Sequence, residues 1–125
     1  MADLPRTASE GVTTTGFVVA SGYTLNTFSA RRNVDTGLCS FFVEVVHKGA
    51  QLDVPAAGNI TDETIGTLPG GWRPALDAEL SVSDGVGQGA ARLTTAGTIT
   101  LRTWSGNGSL RNDRNIRTSA TFQLP

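Results

Sequence analysis

The stretch LTTAGTITLRTW, residues 93–104, contains the pattern on which the fold prediction depends. A glycine-containing turn at Ala96-Gly97 separates two short runs in which apolar and polar side chains alternate. A tight turn between two such runs predicts a β-hairpin, with residues 91–94 pairing with residues 98–101. The stretch therefore indicates an antiparallel sheet.

The alternation in this hairpin also assigns its side chains to two faces. Ile99 and Leu101 share one face with Thr103, whereas Arg102 and Trp104 fall on the other with two more threonines. Because successive side chains of a strand point to opposite sides, this pattern is typical of a strand with one side in solvent. It predicts that Trp104 is exposed.

Similar runs recur along the chain. Residues 77–84 and 117–124 alternate in the same way and predict two more half-buried strands. Residues 38–48 form the most hydrophobic run, with apolar side chains on both faces, including Phe41 on one and Phe42 on the other. This run predicts a central strand that is buried on most of both sides.

These features together predict an all-β protein. No window has the periodicity of an amphipathic helix, and turn residues separate the runs at short intervals. We expect an antiparallel β-sandwich or jelly-roll-like domain of about eight short strands. Residues 1–11 lack alternation and predict an N-terminal arm or linker, followed by a single domain over residues 12–125.

Composition excludes several classes of protein. Ten basic and eleven acidic residues give a net charge of −1, with no block of like charge, so we expect no nucleic-acid partner. The first residues contain no apolar signal-peptide segment, and no later run is long enough to insert into a membrane. Cys39 is the only cysteine, so no intrachain disulfide can form.

The segment LPGGWRPA, residues 68–75, predicts a structural corner between strands. Its prolines lack the backbone donor of a sheet ladder, and its glycines permit positive φ. An indole in this setting is expected to cover an open end of the core. The predicted corner residues are Leu68, Pro69, Trp72, Arg73 and Pro74.

The order of elements around this corner resembles the small β-sandwich head domains at the C-terminal ends of bacteriophage tail fibres and receptor-binding proteins. The similarity covers roughly residues 28–125 and rests on an LP-x-G-x-RP corner, a G-x-I-x-L hairpin and a closing strand. It is carried by Ile65, Leu68, Pro69, Trp72, Arg73, Pro74, Gly97, Ile99, Leu101 and Ser119-Ala120-Thr121-Phe122. The chain departs from those proteins in having no long triple-helical or coiled-coil shaft.

The resemblance implies a non-enzymatic virion protein of the phage tail, made in the host cytoplasm without a signal peptide. It implies a homotrimer that contacts other phage tail proteins and attaches the particle to a host cell-surface saccharide or protein. The polar strand faces would then be either solvent surface or subunit interface. A virion decoration or baseplate protein without receptor binding is the nearest alternative.

The residues that could support catalysis or metal binding are few. His47 is the only histidine, and Glu44 lies on the opposite face of the same strand, so no catalytic triad is predicted. His47 and Cys39 alone do not make a zinc site, and neither Asp62-Glu63 nor Asn112-Asp113 has the spacing of a calcium loop. We therefore expect no metal and no cofactor.

Two other motifs favour structural roles. Asp77 and Glu79 share a strand face and could in principle form the carboxylate pair of a glycosidase, but a solvated outer face explains them better. The glycine-rich segment 85–90 precedes no helix that could bind a phosphate, so it is predicted to be an inter-strand loop that lets neighbouring segments approach closely.

The segment RTWSGNGSLRNDRN, residues 102–115, is the strongest candidate for ligand binding. An exposed indole could stack on a sugar ring while amides, a carboxylate and a guanidinium bind its hydroxyls. The predicted ligand-binding residues are Trp104, Asn107, Arg111, Asn112 and Asp113. The same residue types are enriched at oligomer interfaces, so both interpretations stay open. A carbohydrate-binding module of an enzyme, which would be a monomer, is the alternative of another class.

Overall fold

The computed structural model describes residues 11–106 and 108–125, which contain eleven β-strands and no helix. The all-β prediction is confirmed. The number of strands exceeds the expected eight because four of them have only two residues each. The strands are β1 Val12–Thr13, β2 Val18–Val19, β3 Tyr23–Asn33, β4 Leu38–His47, β5 Leu52–Asp53, β6 Asn59–Thr67, β7 Ala78–Ser83, β8 Gln88–Leu93, β9 Thr98–Thr103, β10 Ser109–Leu110 and β11 Asn115–Gln123.

Nine of these strands form one curled antiparallel sheet in the order β1-β3-β4-β11-β7-β8-β9-β6-β2, and β5 pairs with β10 separately. β11 pairs with β4 over nine residues but with β7 over only two, Arg117 with Ser83 and Thr118 with Val82. We call β1, β3, β4 and β11 the β4 half, and the other five strands the β9 half. The inward side chains of both halves form one hydrophobic cluster, which gives a β-sandwich-like fold.

The β8–β9 hairpin has the predicted register. Ala91 lies opposite Leu101, and Leu93 lies opposite Ile99. The turn closes with a hydrogen bond of 2.8 Å from the Gly97 amide to the Thr94 carbonyl, and Gly97 has a φ of 85°. All four of these paired apolar side chains are buried, so the hairpin forms part of the core.

β4 is central in its half of the sheet, between β3 and β11, and Cys39, Phe41, Val43, Val45 and His47 on its inner face are all buried. The prediction that its other face is also mostly buried is wrong. Phe42 is 36% exposed and Leu38 is 46% exposed. In a two-layer sandwich only one face of a strand packs on the core, and no described residue covers the outer face of β4 to that extent.

The LPGGWRPA segment forms a tight turn before β7. The Trp72 amide donates to the Pro69 carbonyl at 3.1 Å, and Gly71 has a φ of 84°, which suits the third position of a type II turn. The Trp72 side chain is only 6% exposed. The Arg32 guanidinium lies 4.2 Å from the centroid of the indole and donates a hydrogen bond to the Gly71 carbonyl, so Arg32 packs on the buried Trp72 and on the turn that carries it.

The corner also contacts the β8–β9 hairpin directly. The Leu68 amide donates to the Gly97 carbonyl at 2.9 Å, and Arg73 Nε donates to the Leu68 carbonyl at 2.9 Å. The stem of Arg73 lies so close to Gly97 that a Cβ there would approach Arg73 Nε to 2.7 Å. Leu68 and Pro74 are fully buried beside this contact.

The predicted arm, residues 1–11, lies outside the described residues except for Gly11. The Gly11 carbonyl accepts a hydrogen bond of 2.9 Å from the Arg32 amide. The division into an arm and a domain over residues 12–125 stays a prediction. In the described part of the chain, no helix is long and apolar enough to cross a membrane.

Two neighbouring glycines in the corner provide a matched test of the turn. Alanine at Gly71 would have to adopt positive φ, and its Cβ would lie 2.9 Å from Arg32 Nη1. Gly70 has no heavy atom within 4 Å of an added Cβ. We expect Gly71→Ala to lower the free energy of unfolding by about 1–3 kcal/mol, and Gly70→Ala to leave it within about 1 kcal/mol. Urea unfolding followed by tryptophan fluorescence measures both, and equal losses would contradict this account of the turn.

Cys39 provides a second test, of core integrity. Its side chain is 1% exposed, and burial raises the pKa of the thiol to about 11, although the nearby Arg32 charge acts in the opposite direction. Only about a thousandth of the thiol is then ionised near pH 8, and the thiolate is the reactive form. We expect native protein to resist alkylation by iodoacetamide and protein in guanidinium chloride to react fully. Rapid reaction of the native protein, measured by mass spectrometry, would show that the β4 half opens readily.

Candidate functional site

The structure does not expose Trp104 as predicted. β9 ends at Thr103, so the alternation no longer applies at residue 104, and the Trp104 side chain is 3% exposed. The Trp104 amide donates to the Gly58 carbonyl at 3.0 Å. Cβ atoms added at Gly87 and Gly89 would lie 3.0 Å from atoms of the indole, so the glycine-rich segment is where the chain passes over Trp104. A buried indole has no free face on which a sugar could stack.

Two other residues of the predicted ligand site, Asn112 and Asp113, connect the loop between β10 and β11 to the end of β4 and the residues that follow it. Asn112 Nδ2 donates to the Gly49 carbonyl at 3.1 Å, and Asp113 forms an ion pair with Lys48. The Asp113 amide donates to the His47 carbonyl at 2.7 Å, and the Arg111 side chain is exposed. Asn107 lies outside the described residues. Ligand binding by the exposed groups of this loop stays a prediction, without the stacking platform that motivated it.

His47 belongs to the same loop contact. It is 2% exposed, and its Nδ1 lies 3.0 Å from the Arg111 carbonyl, to which it donates when that nitrogen carries the proton. Its ring also packs against Tyr23 at a centroid distance of 5.3 Å. His47 is therefore a buried histidine at the end of β4, and its Nδ1 has a hydrogen-bond partner.

A groove on the outer face of the β9 half is the strongest candidate site in the structure. It has a volume of about 400 Å³ and crosses strands β6, β9, β8 and β7. Its residues that bear polar groups are Asn59, Asp62, Glu79, Arg102 and Thr103, and its apolar residues are Ile60 and Ala90.

An irregularity in the sheet produces this groove. Asn59 pairs with Thr103 and Glu63 pairs with Leu101, so three residues of β6 oppose the single residue Arg102 of β9. Extra residues in one strand bend it and redirect its side chains, and such bulges are common near functional sites. The bulge therefore separates β6 from β9 at the position of Arg102.

The neighbouring strand β8 also departs from regular pairing at the groove. The Ala90 amide donates to Thr103 Oγ1 at 3.0 Å rather than to a backbone carbonyl. A Cβ at Gly89 would approach the Thr103 carbonyl oxygen to 2.0 Å, so strands β8 and β9 are as close there as glycine allows. The short side chain of Ala90 leaves the middle of the groove open.

A hydrogen bond on the inner side of β6 fixes the direction of the bulge. The Tyr23 hydroxyl donates to Glu63 Oε1 at 3.2 Å across the sandwich. Burial, together with the charge and hydrogen bond of Glu63, raises the pKa of Tyr23 well above its usual value, so the hydroxyl keeps its proton. Because Glu63 is held in this way, the preceding residue Asp62 points to the outer face, where its side chain is 60% exposed.

The charged groups around the groove form one loose pair and one close pair. Arg102 Nε lies 3.7 Å from Asp62 Oδ1, which is too far for a hydrogen bond. Arg92 donates through Nε and Nη2 to the same oxygen of Glu79, Oε1, at 3.1 and 2.9 Å. Within residues 11–106 and 108–125, no three His, Cys, Asp or Glu side chains are grouped so that they could hold a metal ion. The groove therefore presents both hydrogen-bond donors and acceptors.

Asp77, which the sequence pattern assigned with Glu79 to a solvated strand face, has a structural role. Its Oδ1 accepts a hydrogen bond of 3.0 Å from the Thr95 amide in the β8–β9 turn. Alternation in the sequence did place Glu79 and Arg102 on outer strand faces, but the bulge that brings Asn59, Ile60 and Asp62 beside them has no recognisable signal in the sequence.

Comparison with protein-family models, curated proteins and solved structures finds no significant match.

The hydrogen bond of Thr103 tests this description of the groove wall. Thr103→Val keeps the shape of the side chain but leaves the Ala90 amide without its acceptor, whereas Thr103→Ser keeps the hydroxyl. We expect a loss of about 1 kcal/mol in the free energy of unfolding for the valine variant and a smaller loss for the serine variant. Urea denaturation compares them, and a larger loss for serine would show that packing of the methyl group dominates.

Proposed function

We propose that the protein is a non-catalytic component of a bacteriophage tail that forms a homotrimer and attaches the virion to a host cell surface. One observation carries the proposal. The LP-x-G-x-RP corner and the G-x-I-x-L hairpin, which bear the resemblance to tail-fibre head domains, make direct contact through Leu68, Arg73 and Gly97. Segments that are distant in the sequence thus form one structural unit, which supports the interpretation of the motif as a shared scaffold.

The outer face of the β4 half supports the trimeric part of the proposal. Phe42 lies at its centre, opposite Ser29 on β3 and Ser119 on β11. Ser40 and Thr121 hydrogen-bond to each other at 2.7 Å on the same face. On its other side Phe42 is followed by an ion pair between Glu44 and Arg117 at 3.3 Å. An aromatic side chain that has short neighbours on three sides can be buried by another subunit at little cost in side-chain entropy.

The opposite outer face, on the β9 half, supports the attachment part. It keeps its polar groove open when the β4 half faces another subunit, because the two faces lie on opposite sides of the sandwich. The proposed partners are further copies of the chain, other phage tail proteins, and a host cell-surface saccharide or protein. The site of action is the virion.

Solution mass tests the trimer. Size-exclusion chromatography with light scattering, over a range of dilutions, should give three times the chain mass of 13.0 kDa. A chain that stays monomeric when concentrated would contradict the tail-tip role and favour a carbohydrate-binding module, which would keep the groove.

A pair of variants tests which face forms the contact. Phe42→Asn places a polar side chain in the centre of the proposed subunit interface, and it should shift the trimer to lower mass at dilutions where the native protein stays trimeric. Leu76→Asn is the matched control, since Leu76 is 79% exposed on a loop. If both variants keep the trimer, the β4 half does not provide the contact.

Attachment is tested by adding fluorescently labelled protein to a panel of bacterial strains and measuring bound label by flow cytometry. The proposal predicts strong labelling of a subset of strains that unlabelled protein displaces. A trimer that labels none of them would favour the decoration or baseplate role instead.

A further inference from the structure

We propose that the groove over Ala90 binds an uncharged saccharide, with Asp62, Arg102 and Glu79 as the groups that recognise its hydroxyls. This inference rests on the proposed attachment function and assigns the host-surface ligand to a site and a chemical class. It places the ligand on the β9 half, away from the loop of Arg111, Asn112 and Asp113.

The groove offers hydrogen-bonding groups that its own side chains leave free for a ligand. Arg102 Nε and Asp62 Oδ1 lie 3.7 Å apart, so these two side chains do not hydrogen-bond to each other. Glu79 accepts both bonds from Arg92 at Oε1, so with respect to residues 11–106 and 108–125 its Oε2 stays available to a ligand. A carboxylate accepts and a guanidinium donates, and neighbouring hydroxyls of a sugar need both functions within a short distance.

The charges at the groove balance once the ion-pair partner of Glu79 is included. Two carboxylates, Asp62 and Glu79, and the guanidinium of Arg102 line the groove. Arg92 does not line it but pairs with Glu79, which brings the sum of formal charges to zero. An anionic sugar would approach the two carboxylates, and a cationic one would approach Arg102 and the neighbouring Arg92. Burying either charge without a surplus of opposite charge is unfavourable. The groove therefore favours a ligand that is rich in hydroxyls and uncharged.

The size and lining of the groove suit a sugar ring. A volume of about 400 Å³ lies near the lower end of the range, roughly 300–1,000 Å³, that is usual for ligand pockets. Ile60 and the methyl group of Ala90 provide an apolar patch for the hydrophobic side of a sugar ring, and the lining contains no aromatic residue. An open site without an aromatic platform binds weakly, so useful attachment depends on several sites acting together, as a trimer would provide.

Residue-specific NMR tests the site. Isotope-labelled full-length protein is titrated with the methyl glycosides of glucose, galactose, mannose and N-acetylglucosamine, with N-acetylneuraminic acid and glucosamine as charged comparators. We expect at least one neutral glycoside to shift the backbone resonances of residues 59–62, 90 and 102–103 at millimolar concentration, with smaller shifts from the charged sugars. No shift at these residues with any neutral glycoside, or larger shifts from a charged sugar, would overturn the inference.

Two arginine variants separate the groove from the loop. Arg102→Gln should weaken the binding of the neutral glycoside at least tenfold, because the glutamine amide cannot replace the charged donor fork. Arg111→Gln should leave the binding unchanged, since Arg111 is exposed on the other candidate site. Loss of binding in Arg111→Gln with retention in Arg102→Gln would assign the ligand to the loop and overturn the inference.

Bacterial labelling distinguishes the failure of this inference from the failure of the proposed function. If Arg102→Gln labels cells as strongly as the native trimer, attachment stands and the groove is not its site. If the native chain is a monomer and labels no strain, yet neutral glycosides shift the groove resonances, the saccharide site stands and the tail function fails.

Discussion

The contact between the corner and the β8–β9 hairpin is the constraint on which the rest of the fold depends. Two hydrogen bonds of 2.9 Å connect Leu68 to Gly97 and Arg73 to Leu68, and the stem of Arg73 occupies the space that a side chain at Gly97 would need. Next to this contact, Arg32 of the β4 half covers Trp72. One small region therefore fixes the chain between β6 and β7 and joins both halves of the sandwich.

The sequence predicted the strands well wherever one face of a strand packs on the core and the other meets solvent. Leu80 and Val82 of β7, Ile99 and Leu101 of β9, and Phe122 of β11 are all buried as their alternation indicates. The interpretation failed where burial depends on neighbours that are distant in the chain. Phe42 is 36% exposed because no described residue covers it, and Trp104 is buried because β9 ends one residue earlier than the alternation suggested.

The candidate site could be predicted only in part for the same reason. Outer-face positions for Glu79 and Arg102 follow from strand periodicity, but the groove between them requires the bulge of β6. A bulge is a property of two paired strands, and its register is set by contacts such as that of Tyr23 with Glu63 on the far side of the sheet. The periodicity of a single strand therefore predicts which side chains lie on its outer face, but it does not predict the groove between two strands.

The position of β11 has a consequence for how the chain can fold. Among the described strands this one comes last in the sequence, yet it lies between β4 and β7 and alone connects the two halves within the sheet. During synthesis, one edge of β4 and one edge of β7 stay unpaired until residues 115–123 have left the ribosome. Sheets that close through such long-range pairing form slowly and expose aggregation-prone edges. We therefore expect the pairing of β11 to be a late step in folding, and yields of correctly folded protein to depend strongly on temperature and chaperone supply during expression.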